Sequence, residues 1–414
     1  MDAVKKDAKC VVILGDGMPD YPIAELGGKT PLAYARTPNM DKLVRRGEMG
    51  TVRTVPMGML PGSDVANLSI LGYDPQRYYT GRAPIEAVAM GVELAEEDVA
   101  FRCNLVTLSN EKVYEYKNML DYSAGEISTA EAQEIMKDVG DRLGNIVFNY
   151  YPGVSYRHLM VWRGGPEPDA FKLTPPHDIT GEEIAVFLPQ GENAEVLQGI
   201  MEESSTFLPD HPVNKKRAAL DLPVANSLWF WGEGKKPRLD SFAGKYGLEG
   251  AVISAVDLIK GLGLLAGLEA VDVPGATGNI NTDFRGKAQK ALEKLREGLD
   301  FIFVHVEAPD EAGHHGDLQA KIKAIEEIDE KVVGEVMRGL DEFADYRLLV
   351  LADHPTPLIL RTHTEEPVPF CMYNKGEGLG ESLSNRYGEF SENYVAGGIY
   401  IEKGHTLMGR FLGR

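Results

Sequence analysis

Cys10-Val11-Val12-Ile13-Leu14, followed at once by Gly15-Asp16-Gly17, is a short apolar run that stops on glycine and aspartate. Two further segments repeat the pattern. Phe301-Ile302-Phe303-Val304-His305-Val306 leads into Glu307-Ala308-Pro309-Asp310, and Leu348-Leu349-Val350-Leu351-Ala352 leads into Asp353-His354. Runs of this length and boundary chemistry suit strands of a parallel sheet buried on both faces. Helical periodicity lies between them. Ile322, Ile325, Ile328, Val332 and Val336 predict a helix over 318–337, and Ala288, Ala291, Leu292 and Leu295 predict one over 286–297. Strand–helix–strand alternation predicts right-handed crossovers, and so an α/β fold with a mostly parallel sheet sandwiched by helices.

The middle of the chain reads differently. Proline and glycine interrupt it, Glu93–Asp98 is acidic, and Arg163–Asp169 reads as a loop. Residues 86–215 are therefore expected to form an inserted, smaller α+β domain, with 1–85 plus 216–414 forming the main one. Within the insert, Val99–Leu108 and Ser155–Trp162 are expected strands; Thr129–Leu143 and Glu192–Ser204 are expected helices. The 414 residues suffice for two or three domains. With 43 % hydrophobic and 26 % charged residues, the chain is globular rather than disordered. A formal charge of −20 disfavours nucleic-acid partners. It would also repel an anionic substrate unless metals or local arginines reverse the sign at the site. No apolar run approaches the roughly 20 residues that span a bilayer. Met1–Asp7 leaves no room for a signal peptide, and three distant cysteines (Cys10, Cys103, Cys371) do not suggest a disulfide framework. A cytoplasmic protein is expected.

Ligands of open α/β sheets bind beyond the carboxyl ends of strands. Here Asp16, Asp310 and Asp353 stand at three such ends. His314 follows in Asp310-Glu311-Ala312-Gly313-His314, His354 adjoins Asp353, and His363 comes shortly after. Three carboxylates and three imidazoles on one rim form a natural two-metal site, with donors suited to Mn²⁺ or Zn²⁺. The bland alternative makes the aspartates strand-end turn formers. Ser63, in Pro61-Gly62-Ser63-Asp64-Val65-Ala66, opens a helix-like run. It reads either as an N-cap or as a metal-activated nucleophile. Met57 and Met59 are expected to pack, and Trp229 and Trp231 to anchor a core or a domain junction. Gly261-Leu262-Gly263 lacks a dinucleotide fingerprint, and no phosphate-binding Gly-x-x-x-x-Gly-Lys-Ser/Thr loop occurs.

Gly15-Asp16-Gly17, Gly62-Ser63-Asp64-Val65-Ala66, Asp310-Glu311-Ala312-Gly313-His314, Asp353-His354 and His363-Thr364 together resemble the alkaline phosphatase superfamily. Within it, the chain is most similar to the archaeal type of cofactor-independent phosphoglycerate mutase. Tyr79-Thr80-Gly81-Arg82-Ala83-Pro84 and Pro274-Gly275-Ala276-Thr277-Gly278 extend the likeness over nearly the whole chain. The resemblance implies an alkaline-phosphatase-like sheet and two divalent metal ions, Mn²⁺ foremost, with Mg²⁺ or Zn²⁺ as alternatives. It implies that Asp310, His314 and His363 hold one ion, and that Asp16, Ser63, Asp353 and His354 hold the other. Ser63 would accept and return the phosphoryl group, and the insert would be a phosphotransferase domain. The substrate would be a small phosphorylated carboxylate. Arg157, His158, His177, Asp178 and Arg82 are the candidates to hold it; the alternative for Arg157 is a surface ion pair, and for His177 a satisfied loop histidine. Linkers near 80 and 220 would be hinges that let the site exclude water. Related metal-dependent enzymes offer an alternative: a homoserine kinase-like phosphotransferase, a phosphatase or a phosphopentomutase. A catalytically silent scaffold is a further alternative, which would predict a missing ligand; all seven are present.

Overall fold

A computed structural model describes residues 8–375, 388–392 and 399–414. The segment Met1–Asp7, read above for a leader, lies outside them. The chain divides into two compact units, residues 1–79 with 238–414, and residues 80–237.

The first unit is built on an eight-stranded sheet. Its order is Glu269–Val271, Gly250–Ile253, Phe301–Val306, Lys9–Gly15, Tyr346–Leu351, Val368–Asn374, Glu48–Val52 and Ile399–Ile401. Lys9–Gly15 lies between Phe301–Val306 and Tyr346–Leu351, parallel to both. Val368–Asn374 alone runs against the others. The three apolar runs that define the sequence pattern are thus adjacent, and their carboxyl ends share one edge. Val11 to Leu14, Phe301 to Val304 and Leu348 to Leu351 are fully buried, as a sheet covered on both faces requires. Each such side chain removed from water contributes about 1.5–3 kcal/mol.

The helix expected over 318–337 contains a local break in its hydrogen-bond pattern. Leu318–Glu327 is α-helical, Ile328–Val333 is a π segment, and Gly334–Leu340 resumes the α-helix. Asp329, on the wide turn, accepts from the backbone N–H groups of Asn39 (3.1 Å) and Met40 (2.7 Å). Those are unpaired donors at the start of the helix Pro38–Val44, so the turn serves as its cap.

The second unit carries an antiparallel sheet. Val99–Leu108 pairs with Met119–Asp121, Arg157–Trp162 and Ser227–Gly234, and Phe148–Tyr151 pairs with Arg157–Trp162. The helices Thr129–Leu143 and Ala194–Phe207 bury Ile135, Val139, Leu197 and Met201 against Phe101, Trp229 and Phe230. Ser128 and Glu131 form a capping box at the start of Thr129–Leu143. This unit runs past residue 215 because Ser227–Gly234 pairs along Val99–Leu108, with Cys103 opposite Phe230. Residue 220, expected at a hinge, lies inside it. Trp229 and Trp231 are core residues here. Met57, expected to pack, is 71 % exposed, whereas Met59 does pack against Val55, Val65 and Ala66. The three cysteines are buried free thiols.

Candidate active site

The carboxyl edge of the first unit's sheet brings Asp16, Asp310, Asp353, His314, His354 and His363 together. Asp310 and His314 are four residues apart on the helix Ala308–His315, which places both on one face. His314 Nδ1 lies 2.9 Å from the Arg361 carbonyl. A carbonyl only accepts, so Nδ1 carries a proton, and in the neutral ring that a cation would need, Nε2 presents the lone pair. That Nε2 is 2.9 Å from His363 Nε2 and 3.2 Å from Asp310 Oδ2. Thr356 Oγ1 donates to Asp310 Oδ1, so its lone pairs face His354 Nδ1, 3.3 Å away. His354 therefore donates from Nδ1 and turns its Nε2 lone pair inward. That Nε2 stands 3.1 Å from Ser63 Oγ, 3.4 Å from Asp353 Oδ2 and 3.5 Å from Asp16 Oδ1.

Asp353 is held on both oxygens. Gly17 N and His354 N donate to Oδ1 at 3.1 and 2.9 Å, and Asn67 Nδ2 donates to Oδ2 at 3.0 Å. Asn67 also bonds the Ser63 carbonyl at 2.9 Å, tying serine to carboxylate. Ser63 is the first residue of the helix Ser63–Ile70. Gly62 occupies the cap position, and the serine side chain makes no capping bond. The N-cap alternative is thereby corrected: Ser63 Oγ faces His354 instead.

Gly17 is required by its geometry. Its φ is +62°, and a Cβ there would lie 2.5 Å from Thr356 Oγ1 and 2.8 Å from the Asp310 Cα. Gly17→Ala is expected to cost about 1–3 kcal/mol from strain and overpacking. A denaturant midpoint indistinguishable from that of the unsubstituted protein would contradict this.

The electrostatics fit cations. Burial, with Asp353, Asp310 and Glu307 close by, holds the Asp16 carboxyl well above its ordinary range. Burial also acts to raise Asp310, but His314 and His363 hold it well below that range. Burial pushes the His354 imidazole down. For His314 burial acts downward too, yet Asp310 and the Arg361 carbonyl raise it to about 9. Asp16 Oδ1 is buried without a hydrogen-bond partner. Donor atoms of Asp310, His354 and His363 lie within 4.8 Å of one another, and so do those of Asp16, His305 and Asp353. Carboxylate oxygens and imidazole lone pairs converging in this way suit two divalent cations. His305 is the residue that the sequence pattern did not single out.

The remaining candidates lie in the second unit. Arg82 pairs with Glu86 at 2.9 Å. Arg157 is exposed, with its guanidinium over the Tyr156 ring, and makes no ion pair among the described residues. His177 is near Asp178 at 3.7 Å and packs edge-on against Trp231. His158 differs from expectation. It is 2 % exposed, accepts at Nδ1 from Gly153 N–H, and burial pushes it down to about 3. On an extended strand its neighbour Arg157 faces out, so His158 faces in. Arg102, absent from the sequence-based candidates, is buried against Trp231 and pairs with Glu86 at 3.0 Å.

The mostly parallel sheet and the acidic–imidazole cluster at its carboxyl edge are the fold and site that the resemblance to the alkaline phosphatase superfamily implies. A family profile described as 2,3-bisphosphoglycerate-independent phosphoglycerate mutase matches residues 44–214. Another, described as type I phosphodiesterase / nucleotide pyrophosphatase, matches residues 223–363. The chain is 52 % identical to the Geobacter sulfurreducens protein named "Probable 2,3-bisphosphoglycerate-independent phosphoglycerate mutase", over 98 % of this chain and 100 % of that one. It is 49 % identical to the 2,3-bisphosphoglycerate-independent phosphoglycerate mutase of Methanothrix thermoacetophila, over 97 % and 98 %. Two solved structures share the fold. The Pyrococcus horikoshii protein PH0037 superposes with a TM-score of 0.78 at 29 % identity, covering 98 % of this chain and 97 % of that one. The cofactor-independent phosphoglycerate mutase of Thermoplasma acidophilum gives 0.61 at 26 %, covering 98 % and 99 %. The chain belongs to the 2,3-bisphosphoglycerate-independent phosphoglycerate mutase family.

Proposed function

We propose that this protein interconverts 2-phosphoglycerate and 3-phosphoglycerate, with Ser63 as the transient phosphoryl carrier. The observation that carries this reading is the placement of Ser63 Oγ. It is released from capping and sits 3.1 Å from His354 Nε2, at the edge of the carboxylate–imidazole cluster. Asp310, His314 and His363 would hold one divalent cation, and Asp16, Ser63, Asp353 and His354 the other. Mn²⁺ is the first choice for both, ahead of Mg²⁺ and Zn²⁺. Bound there, the cations would lower the pKa of the serine hydroxyl and offset charge on the phosphoryl oxygens.

Ser63 Oγ attacks phosphorus in line. The Oγ–P bond forms as the substrate O–P bond breaks, and the proton given up by the Ser63 hydroxyl ends on the freed glycerate oxygen. Glycerate then turns, and its other hydroxyl attacks the phosphoserine phosphorus. The Oγ–P bond breaks and Ser63 regains its hydroxyl proton. Two in-line displacements give net retention at phosphorus. Asn67 keeps the serine and Asp353 in fixed relation through both steps.

In the second unit, Arg82, Arg157 and His177 are the proposed contacts for carboxylate and phosphate oxygens, and Asp178, which only accepts, is the proposed partner of a substrate hydroxyl. Arg102 joins them: Glu86 feels Arg102, Arg82 and Arg157 together, and the cluster keeps excess positive charge. This local sign would let a chain of charge −20 take an anionic substrate. His158 supports the turn at Gly153 beside Arg157. A cytoplasmic setting accords with free cysteines and with no described helix long and apolar enough to cross a membrane.

The test is an enolase-coupled assay with 3-phosphoglycerate, run beside homoserine with a nucleotide donor. Turnover of homoserine alone would overturn the substrate. The mutase name borne by relatives at 45–52 % identity favours phosphoglycerate over that alternative. Chelation is expected to abolish activity and added Mn²⁺ to restore it. Full activity in protein shown by elemental analysis to be free of metal would refute the cation roles.

A further inference from the structure

His305 lies in the strand Phe301–Val306, opposite Leu14 of Lys9–Gly15, and is wholly shielded from solvent. An imidazole in so apolar a strand has a desolvation cost that only specific partners offset. A neutral imidazole offers one N–H and one lone pair. Nδ1 is 3.3 Å from Ser254 Oγ, which already accepts from Val256 N–H at 3.1 Å. Lys287 Nζ donates to the His305 carbonyl at 3.0 Å and fixes the backbone at this position. Nε2 is 3.1 Å from Asp16 Oδ2, yet out of line for a hydrogen bond, and it has no hydrogen-bond partner. Asp16 Oδ1 has none either. Asp16 and His305, the residues that carry these unmatched atoms, form with Asp353 a group whose donor atoms lie within 4.8 Å of one another.

We propose that His305 Nε2 is a nitrogen ligand of the cation held by Asp16 and Asp353, in addition to the residues that the family resemblance assigns to it. Ser254 Oγ receives the Nδ1 proton, the usual way a metal-binding imidazole is oriented by its other nitrogen. Ser254, the residue just past the strand Gly250–Ile253, would thereby set which nitrogen faces the ion.

This inference rests on the two-cation reading, and its test separates the two. Full-length protein and His305→Gln are loaded with Co²⁺; stoichiometry and affinity are measured by equilibrium dialysis with elemental analysis, and visible spectra are recorded. Circular dichroism checks that the variant is folded. The unsubstituted protein is expected to hold two ions. The variant is expected to keep one and to bind the second at least about tenfold more weakly, with an altered ligand-field spectrum. Two ions at unchanged affinity and an unchanged spectrum would leave His305 no part in ligation. An unsubstituted protein that binds no cation would overturn the two-cation reading itself. Should the variant not fold, a crystal of the unsubstituted protein with Mn²⁺ decides by anomalous scattering. A peak within bonding distance of Nε2 supports the inference, and a peak beyond that reach, with Nε2 bonded only to Asp16, overturns it.

Discussion

Ser63→Ala is expected to lower mutase turnover by about 10⁴-fold or more, because the nucleophile itself is removed. The fold should be spared. Gly62, not Ser63, caps the helix Ser63–Ile70, so no cap is lost. Alanine suits the first helical turn, and the Asn67 bond to residue 63 uses the backbone carbonyl, which alanine retains. Stability should therefore change by no more than about 0.5 kcal/mol. Asp310, His314 and His363 keep their donors, so at least one cation should remain. Incubation with substrate followed by intact-mass measurement should reveal a phosphorylated species for the unsubstituted protein and none for the variant. Turnover within tenfold of the original, in a variant that is folded and metal-loaded, would remove Ser63 from the chemistry.

The parts of this site that can be read from sequence are those that interrupt a pattern at its end. Asp16, Asp310 and Asp353 each close an apolar run, and the sheet order makes those ends neighbours. His314 follows Asp310 by one helical turn, so its position is fixed by local geometry. Residues hidden inside a pattern are harder to see. His305 and Arg102 each sit within a strand that is otherwise largely apolar, where the run itself absorbs attention. A lone ionisable residue in such a strand is the signal that could have found them, since burying it without a partner is costly. Asn67 is visible only as the residue four after Ser63, on the same helical face. The π turn at Ile328–Val333 leaves the apolar spacing nearly unchanged, so periodicity cannot reveal it. The extent of the second unit depends on pairing between residues about 125 positions apart, such as Asn104 with Trp229, and long-range pairing has no local signature.

The rim that gathers these groups is braced from behind by one buried cation. Lys321, on the helix Leu318–Glu327, is fully shielded. Its Nζ donates to Asp20 Oδ2 at 2.7 Å, the Thr356 carbonyl at 2.7 Å and the Pro19 carbonyl at 3.3 Å. Asp20 in turn accepts from Tyr21 N–H at 2.7 Å and Leu358 N–H at 3.1 Å. The ammonium thus joins the loop after Lys9–Gly15, which carries Asp16, to the loop after Tyr346–Leu351, which carries His354 and Thr356. Lys321→Met fills a similar volume but leaves the Asp20 carboxylate buried without its counter-ion. Breaking one side of such a pair typically costs about 3–5 kcal/mol. The denaturant midpoint of the first unit should fall accordingly, and cation affinity should weaken as Thr356 loses its hold on Asp310 and His354. Replacing both partners, Lys321→Met with Asp20→Asn, should recover part of the loss, because no unpaired charge then remains inside. A single variant destabilised by less than about 1 kcal/mol would mean that water or a shifted loop satisfies Asp20. The rim would then be held by its own hydrogen bonds rather than by the lysine behind it.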